Sequence, residues 1–273
     1  MIGRPTRPPA IADLPIRHAV ALGAIQGPTE LLPISSSAHL AVIPALLGWP
    51  YRRLDPQTRK AFEVALHAGT AVALLLALRS DVVQAARQLD GPRVLAAALA
   101  LAPPATAGIL FEHTIEERLG APQYVAGVQV AAALLLAVAD RRPADRGYAG
   151  ARPLDHLLLG LAQAAALVPG VSRNGATLTV ARLRRVDRAG ANRLSRAAAL
   201  PVLVAAGALK GTRLARRGMP AGLRRPFMAG FGAAVLSTVA AKRLLERFEQ
   251  PSSYAPLAGY RLAFGLLAMR SRR

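Results

Sequence analysis

The sequence predicts an all-α polytopic membrane protein, and three observations support that prediction. Of the 273 residues, 53% are hydrophobic and the mean hydropathy is +0.31. Apolar runs of about 15 to 20 residues recur along the chain, and a helix needs about 20 apolar residues to cross the hydrocarbon core of a bilayer. Short connectors rich in arginine or proline separate these runs, as expected from the positive-inside bias and from attraction to anionic headgroups.

The composition excludes several classes of function. The formal charge is +20, from 35 Lys and Arg against 15 Asp and Glu, which in a soluble protein would suggest nucleic acid. Here the basic residues stand mostly between apolar runs, and an aromatic content of 4% leaves little surface for base stacking. The chain has no cysteine, so disulfides, thiolate metal sites and a cysteine nucleophile are excluded. We expect a lipid bilayer as a partner and no nucleic acid.

We expect one integral membrane domain over residues 1–273, without a cleaved signal peptide, because the first span itself serves as a targeting signal. The prolines Pro103 and Pro104 are expected to kink the helix that contains them. Helices are expected over 14–26, 61–78, 94–111, 122–139, 154–168, 189–209, 226–245 and 256–269. Between them, 27–48 and 169–185 are rich in Pro, Gly and Ser. Such backbone at membrane depth must be buried or line a wet cavity, so each stretch is predicted to be a re-entrant hairpin or a broken helix.

The two broken stretches match one another. Both contain a glycine, a glutamine three residues later and a serine nine residues after the glutamine. These residues are Gly23, Gln26 and Ser35 in the first half and Gly160, Gln163 and Ser172 in the second, at a constant offset of 137. We interpret this match as an internal duplication with halves of roughly 14–139 and 154–269, whose broken helices meet near the bilayer midplane around a substrate. The connector 112–120 holds three Glu and one Arg, whereas 79–93 and 141–152 are more basic. This count places the first connector outside and makes the two halves parallel.

Glu30 stands in the first broken stretch, four residues after Gln26 and therefore on the same helical face. A carboxylate at membrane depth is costly and is usually functional. Glu30 is therefore a candidate ligand of a divalent cation or a candidate general base. The alternative is a structural carboxylate that caps nearby groups or pairs with an arginine.

Ser35, Ser36, Ser37 and His39 follow within ten residues of Glu30. Three consecutive hydroxyls offer donors to phosphate oxygens, and a serine becomes a nucleophile when a base lies near it. His39 can activate that serine or protonate a leaving group. The alternative is a serine-rich helix N-cap with a hydrogen-bonded helical histidine, which explains less well why an acid, hydroxyls and a histidine cluster beside an apolar segment.

The second broken stretch has the composition of a phosphate-binding loop. Gly170 and Gly175 permit tight backbone turns, and Arg173 supplies a charged fork suited to phosphate. A helix that begins near residue 174 would point its N-terminus at the same anion. The alternative is a turn whose arginine reaches the lipid headgroups. The candidate substrate-binding residues here are Ser172, Asn174 and Thr177. An acid, a hydroxyl cluster, a histidine and this arginine together indicate a hydrolytic phosphoryl-transfer site for a phosphorylated lipid.

The segments Gln26-Gly-Pro-Thr-Glu-Leu-Leu-Pro-Ile-Ser-Ser-Ser-Ala-His39 and Pro169-Gly-Val-Ser-Arg-Asn-Gly-Ala-Thr177 resemble the two signature segments of the undecaprenyl-diphosphate phosphatase family, also called bacitracin-resistance proteins. The stretch Phe62-Glu-Val-Ala-Leu-His-Ala-Gly69 resembles a third landmark of that family. The resemblance covers nearly the whole chain, with the motifs in order.

This resemblance implies a multi-pass enzyme of the bacterial plasma membrane that removes the terminal phosphate of undecaprenyl diphosphate. It implies a divalent cation, Mg²⁺ or Ca²⁺, a site open toward the outer face, and interleaved inverted repeats rather than the parallel halves of the charge count. Nothing in the sequence indicates an oligomeric state. A flippase or transporter of polyprenyl phosphate is the alternative, since broken helices and an anion site would serve it equally well.

The resemblance also assigns roles. Glu30 takes the place of an acid that binds metal or acts as a base, and it is the only acid expected in the paired site. Ser36 stands at the candidate nucleophile, Arg173 at the phosphate-binding arginine and His39 at the motif's histidine, with the choice of attacking group between Ser36 and His39 left open. Gln26 stands where many members carry Glu; its amide oxygen can still ligate a metal, but it adds no charge and cannot act as a base. Gln26, Ser35 and Ser37 are candidate substrate-binding residues. Other departures are Ala38, His67, Asn174 and Arg196.

Overall fold

The computed structural model describes residues 14–77, 79, 83, 87–217, 222–247 and 253–270. In this part of the chain it contains α-helices, two short 3-10 turns and no strand, which confirms the all-α prediction. The α-helices are α1 (Ile16–Leu31), α2 (Ser36–Leu46), α3 (Pro56–Ala77), α4 (Gly91–Leu119), α5 (Pro122–Asp140), α6 (Pro153–Ala165), α7 (Arg173–Leu183), α8 (Arg188–Arg217), α9 (Arg224–Arg247) and α10 (Ala255–Arg270). The 3-10 turns are Pro50–Arg53 and Tyr148–Gly150. By length and apolar composition, α3, the segment Gly91–Phe111 of α4, and α5 can each cross a membrane.

Helix α1 continues five residues beyond its expected end at Gln26, although Pro28 lies in its last turn. The reason is its contact with α9. A β-carbon added at Gly27 would lie 2.4 Å from the amide nitrogen of Thr238, so only glycine permits this approach. The hydroxyl of Ser237 accepts from the Gly27 amide and donates to the Gly23 carbonyl, two groups that an ideal helix would join directly. Tertiary contact thus carries the helix through a Gly-Pro pair that favours termination.

Both broken stretches are re-entrant hairpins, as predicted. The ring of His18, near the start of α1, stacks on Trp49, just after α2, with centroids 4.2 Å apart. The chain therefore leaves the first hairpin on the side where it entered. In the second hairpin, Asp155 in the first turn of α6 accepts a hydrogen bond of 2.7 Å from Arg184, just after α7. We call the side at which α1 begins the first face, and the side at which α6 begins the second face.

The two faces are opposite, which agrees with the inverted repeats that the family resemblance implies and not with the parallel halves of the charge count. Near the start of α5, Ala126 packs with Val42 of the first hairpin. Near its end, Leu136 packs with Leu159 of the second hairpin. Helix α5 has 19 residues and so spans about 28 Å. Each hairpin returns to the side at which it entered. Three helices, α3, α4 and α5, connect the two hairpins, and three crossings lead from one face to the other. The second hairpin therefore enters from the opposite face.

The two halves are interleaved. Helix α1 packs along α9, and α6 packs along α4, so the first helix of each half lies against the fourth helix of the other half. Helices α5 and α10, the last of each half, pack against one another. The 137-residue offset of the motifs recurs in the helix bounds, since α2 spans 36–46 and α7 spans 173–183. This arrangement brings the tips of both hairpins together in the middle of the molecule.

Candidate functional site

The tips of the hairpins are two matching turns. Ser35 precedes α2 with φ of 73°, and Ser172 precedes α7 with φ of 67°. Non-glycine residues seldom adopt this left-handed backbone, and they keep it only where the surroundings hold it, often at functional sites. Each serine caps the helix that follows it, accepting from the amides of Ala38 and Gly175 respectively. The N-termini of α2 and α7 thus lie at the same place, and the exposed amides of each favour an anion there.

Two hydrogen bonds join the tips directly, and a third joins the first tip to α5. The side-chain amide of Asn174 donates to the carbonyl of Leu31 at 2.8 Å. The backbone amide of Gly170 donates to the hydroxyl of Ser37 at 3.2 Å. From α5, the fully buried Gln129 donates to the carbonyl of Ile34 at 3.1 Å. These contacts hold the turns at membrane depth, where unpaired backbone groups are costly.

Glu30, Ser36 and Arg173 form one connected group across the two hairpins. The Oε1 atom of Glu30 accepts a hydrogen bond of 2.8 Å from Arg173, and its Oε2 atom accepts one of 2.6 Å from the Ser36 hydroxyl. The side chains of Glu30 and Arg173 are 14% and 21% exposed, so the ion pair is largely shielded and still reachable from the cavity. A carboxylate bonded to a serine hydroxyl is placed to take its proton. The remaining N–H groups of the guanidinium can contact an anion beside it.

This group lines a cavity of about 290 Å³. The predicted residues that reach it are Glu30, Ser35, Ser36, Ser37, Ser172, Arg173 and Asn174. Arg59 near the start of α3 and Gly120 at the end of α4 lie on the same wall, so the cavity extends toward the first face. The structure therefore collects most of the predicted site residues around one polar space.

Helix α3 adds side chains that were not among the predicted site residues, although His67 was noted as a departure within the third landmark. Arg59, Glu63 and His67 all line the cavity, together with Lys60. Nε2 of His67 lies 3.7 Å from Glu30, and its Nδ1–H donates to the Glu63 carbonyl. Glu30 is thus not the only acid, which corrects that expectation. The four-residue spacing of positions 59, 63 and 67 predicts from the sequence that these side chains lie together, because it places all three on one helical face.

Thr177 and His39 are buried and do not line the cavity. The Thr177 hydroxyl donates to carbonyls of its own helix and pairs with Ser195, whose hydroxyl donates to Asn174 at 2.8 Å. His39 is 2% exposed, with Nδ1 2.7 Å from the Ser35 carbonyl and Nε2 2.7 Å from the Tyr260 hydroxyl. A carbonyl only accepts, so Nδ1 carries the proton and Nε2 accepts from Tyr260. Both ring nitrogens are engaged away from the cavity, and the catalytic role of His39 stays a prediction that this geometry does not favour.

Gln26 also lies away from the cavity. It is fully buried, and within the described part of the chain neither atom of its amide has a hydrogen-bond partner. Its counterpart in the second half, Gln163, donates to the carbonyls of Ala100 and Ala198 at 3.1 Å each. The Ala100 carbonyl needs such a donor because Pro104, four residues later, has no N–H. The side-chain amide of Gln163 thus donates to two carbonyls, whereas that of the equivalent Gln26 has no hydrogen-bond partner among the described residues.

We predict that Gln163→Met lowers thermal stability whereas Gln26→Met does not. Methionine has a similar volume, so the comparison isolates the amide. Gln163→Met leaves two buried carbonyls without this donor, which costs about 1–3 kcal/mol. Gln26→Met removes a buried amide that has no partner and is expected to be neutral or stabilising. Melting temperatures of both variants in one detergent test this, and a Gln26→Met protein that melts as early as Gln163→Met would contradict it.

The donor set at the cavity suits a hard divalent cation. Mg²⁺ in phosphoryl-transfer sites is held by one or two carboxylates together with substrate phosphates and water, and not by a complete protein cage. Glu30 and Glu63 line one cavity and provide two such carboxylates. Within the described residues there is no cluster of three or more His, Cys, Asp and Glu side chains that forms a cage by itself. The residues therefore fit a cation that arrives with a phosphorylated ligand.

Fold and site define a class: a helical membrane protein of two inverted, interleaved halves, with a carboxylate–serine–arginine group in a cavity where its re-entrant hairpins meet. The family model described as "Bacitracin resistance protein BacA" matches residues 19–267, and the chain belongs to this family. This finding confirms the resemblance of the two motifs.

Curated relatives cover nearly the full length. A protein of Geobacter sulfurreducens named undecaprenyl-diphosphatase is 40% identical, over 92% of this chain and 96% of the relative. Proteins of the same name from Pelobacter propionicus and Campylobacter curvus are 38% and 31% identical, over 91% and 93% of this chain and 94% and 98% of the relatives.

Proposed function

We propose that the chain is a membrane-embedded hydrolase that converts undecaprenyl diphosphate to undecaprenyl phosphate and inorganic phosphate. This activity would recycle the lipid carrier for cell-wall synthesis and confer bacitracin resistance. The observation that carries the proposal is the Ser36–Glu30–Arg173 group in the cavity, because it joins a hydroxyl, its base and a phosphate-binding cation. The names of the relatives supply the substrate.

The proposed chemistry starts at Ser36. Its hydroxyl gives its proton to Glu30 while Oγ forms a bond to the terminal phosphorus and the bridging P–O bond breaks. Undecaprenyl phosphate leaves with the bridging oxygen and needs no proton at that oxygen. Water then attacks the phosphorus of the phosphoserine, and the P–Oγ bond breaks. Glu30 returns its proton to Oγ, which restores the free hydroxyl, and inorganic phosphate leaves with the protons of the water. Arg173 and the N-termini of α2 and α7 offset the charge on the phosphoryl oxygens, which is where most catalysis of phosphoryl transfer originates.

The orientation of Ser36 supports its choice over His39 as the attacking group. The Ser36 hydroxyl lies 2.6 Å from a carboxylate and lines the cavity. His39 has both ring nitrogens engaged elsewhere and does not line it. We therefore assign Ser36 as the nucleophile, and Glu30 as its base.

We further propose that Mg²⁺ or Ca²⁺ binds with the diphosphate, held by Glu30 and Glu63, and neutralises phosphate charge there. The protein is assigned to the bacterial cell membrane with the cavity open to the outer side. Two observations support that orientation. The cavity extends toward the first face, and the acid-rich connector 112–120 ends at that face, whereas the basic connector 141–152 lies at the other.

The decisive experiment is phosphate release from undecaprenyl diphosphate by the purified full-length protein in detergent, with Mg²⁺, with Ca²⁺ and with chelator. We expect release that depends on the cation and is slower by about 10³-fold or more with Arg173→Ala. Protein that is folded and monodisperse but releases no phosphate under any of these conditions would refute the proposal.

A flippase for polyprenyl phosphate is the second candidate, because inverted halves with broken helices that meet at the midplane are typical of transporters. Reconstitution into proteoliposomes separates the two. Transfer of the lipid monophosphate between leaflets without phosphate release would favour the flippase. Release without transfer would favour the hydrolase.

We predict that Ser36→Ala lowers kcat by about 10²–10⁴-fold, since it removes the nucleophile and leaves only positioning and charge neutralisation. Ser37→Ala is the matched control from the same serine run. It removes a cavity hydroxyl that bonds the Gly170 amide and not Glu30, so a smaller loss of about tenfold is expected. A covalent phosphoserine trapped by rapid acid quench from the unmodified protein, and absent from Ser36→Ala, would identify the attacking atom. Equal losses in the two variants would contradict the assignment.

A further inference from the structure

Helix α10 contacts both hairpin turns through two adjacent residues. The Tyr260 hydroxyl donates to Nε2 of His39, and Nδ1 of His39 donates to the Ser35 carbonyl, each at 2.7 Å. Phe264, one helical turn later on α10, stacks on the His39 ring with centroids 4.3 Å apart. The left-handed residue of the first turn is thus tied to α10 through a partly buried chain of two hydrogen bonds.

Arg261 ties the second turn to the same helix. Its guanidinium is fully buried and donates to the carbonyls of Gly170 and Val171 at 3.1 and 2.8 Å. These carbonyls immediately precede Ser172, the left-handed residue of the second turn. A β-carbon at position 175 would lie 2.4 Å from Nη1 of Arg261, which explains why the motif has Gly175 there. Within the described residues Arg261 makes no ion pair, so its contacts with the turn are to backbone.

We propose that Tyr260 and Arg261 are positioning residues that hold the two turns in register on one helix and so bring Glu30 and Ser36 against Arg173. The inference rests on the proposed hydrolysis for its kinetic readout. The three reactive side chains come from opposite halves of the chain, and the turns that carry them contact each other through only a few hydrogen bonds. A rigid helix bonded to both turns supplies the missing constraint. Such a constraint acts on the orientation of reacting groups, where a displacement of about 1 Å costs about 10²-fold in rate.

The test uses Tyr260→Phe, Arg261→Lys and the double variant in the full-length protein. Tyr260→Phe keeps the aromatic ring and deletes only the hydroxyl. Arg261→Lys keeps the charge but replaces the planar guanidinium, whose Nη2 donates to both carbonyls, by an ammonium group. We expect kcat to fall about tenfold for Tyr260→Phe and about 10²-fold for Arg261→Lys, with KM changed less than about threefold, as for an orientation defect. The double variant is expected to lose less than the product of the two single losses, since both act on one alignment.

Matched controls separate positioning from general stability. Tyr124 is an exposed tyrosine of α5, so Tyr124→Phe deletes a hydroxyl on the lipid-facing surface. Arg182 is a buried arginine that also donates to backbone carbonyls, of Val186 and Asp140, at the second face. Arg182→Lys is expected to lower the melting temperature at least as much as Arg261→Lys, with kcat within about threefold of the unmodified protein because its contacts do not reach the turns.

Hydrogen–deuterium exchange gives a readout that does not depend on activity. Tyr260→Phe is expected to raise exchange about tenfold in peptides covering 32–39, and Arg261→Lys in those covering 168–175, with neither change in the controls. Unchanged exchange and unchanged kcat in both variants would overturn the proposal. A kcat loss shared equally by Arg182→Lys would also overturn it. If the unmodified protein released no phosphate, the proposed function would fail while the exchange results would still decide whether α10 holds the turns.

Discussion

Arg173→Ala is expected to lower kcat/KM for phosphate release by about 10³-fold or more, the scale on which a charge-neutralising arginine acts in phosphoryl transfer. The side chain donates to Glu30 at 2.8 Å from the opposite half of the chain, and it stands at the N-terminus of α7. Its loss removes the cation proposed to face the phosphoryl oxygens and takes away the Arg173 partner of the Glu30 carboxylate at membrane depth. Phosphate release under single-turnover conditions is the measurement.

Arg173→Lys is the informative companion. Lysine keeps the charge but offers no planar fork, so it cannot donate to Glu30 and to a phosphate with the same geometry. We expect an activity between those of Arg173→Ala and the unmodified protein. Arg93→Ala, at an exposed arginine that pairs with Asp90 and donates to the Gln88 carbonyl, serves as the control and is expected to retain activity. Full activity of Arg173→Ala would remove the central element of the proposed site.

Glu30→Gln is expected to lower kcat by about 10²–10⁴-fold, the usual contribution of a positioned general base. The glutamine keeps the shape and can still accept from the Ser36 hydroxyl, but it cannot take the proton. It also places an amide opposite the Arg173 guanidinium, which weakens the ion pair between the hairpins. Glu30→Asp keeps the charge on a shorter side chain and is expected to recover part of the activity.

The double variant Glu30→Gln/Ser36→Ala tests whether the two residues act as a unit. A base and its nucleophile serve one step, so the double variant is expected to be no slower than the slower single variant. Fully multiplicative losses would show that Glu30 acts independently of Ser36, for example through a cation alone. In that case the assignment of Glu30 as the base would be wrong, although its place in the site would remain.

Local patterns in the sequence were sufficient for the secondary structure and for most of the site. Apolar runs of membrane length predicted the helices, and the Pro, Gly and Ser content of 27–48 and 169–185 predicted the hairpins, because backbone that leaves the helix in a membrane must be protected. The residues that the motifs marked on the turns themselves, such as Ser36 and Arg173, do meet at the cavity. A turn at the tip of a hairpin exposes its side chains to the opposing tip whatever the packing of the helices behind it.

Residues within helices were less predictable. Gln26, His39 and Thr177 belong to the same motifs and point away from the cavity, whereas Glu63 and His67 of α3 line it. The side that a helix presents depends on its rotation against its neighbours, and an apolar helix in a lipid environment carries little amphipathic pattern to reveal that rotation. Contacts over more than 200 residues, such as Ser237 on Gly27 and Tyr260 on His39, set it here.

The sequence by itself thus determined an all-α membrane protein with two related polar turns, because span length, turn composition and the repeated glycine, glutamine and serine are local properties of the chain. Only the tertiary structure decided that Glu30 and Ser36 of one half face Arg173 of the other, and that α10 reaches both turns. It also decided between the inverted halves of the family resemblance and the parallel halves of the charge count. These features depend on how helices distant in sequence pack, since the hydrogen bonds between the hairpins join residues 133 and 143 positions apart.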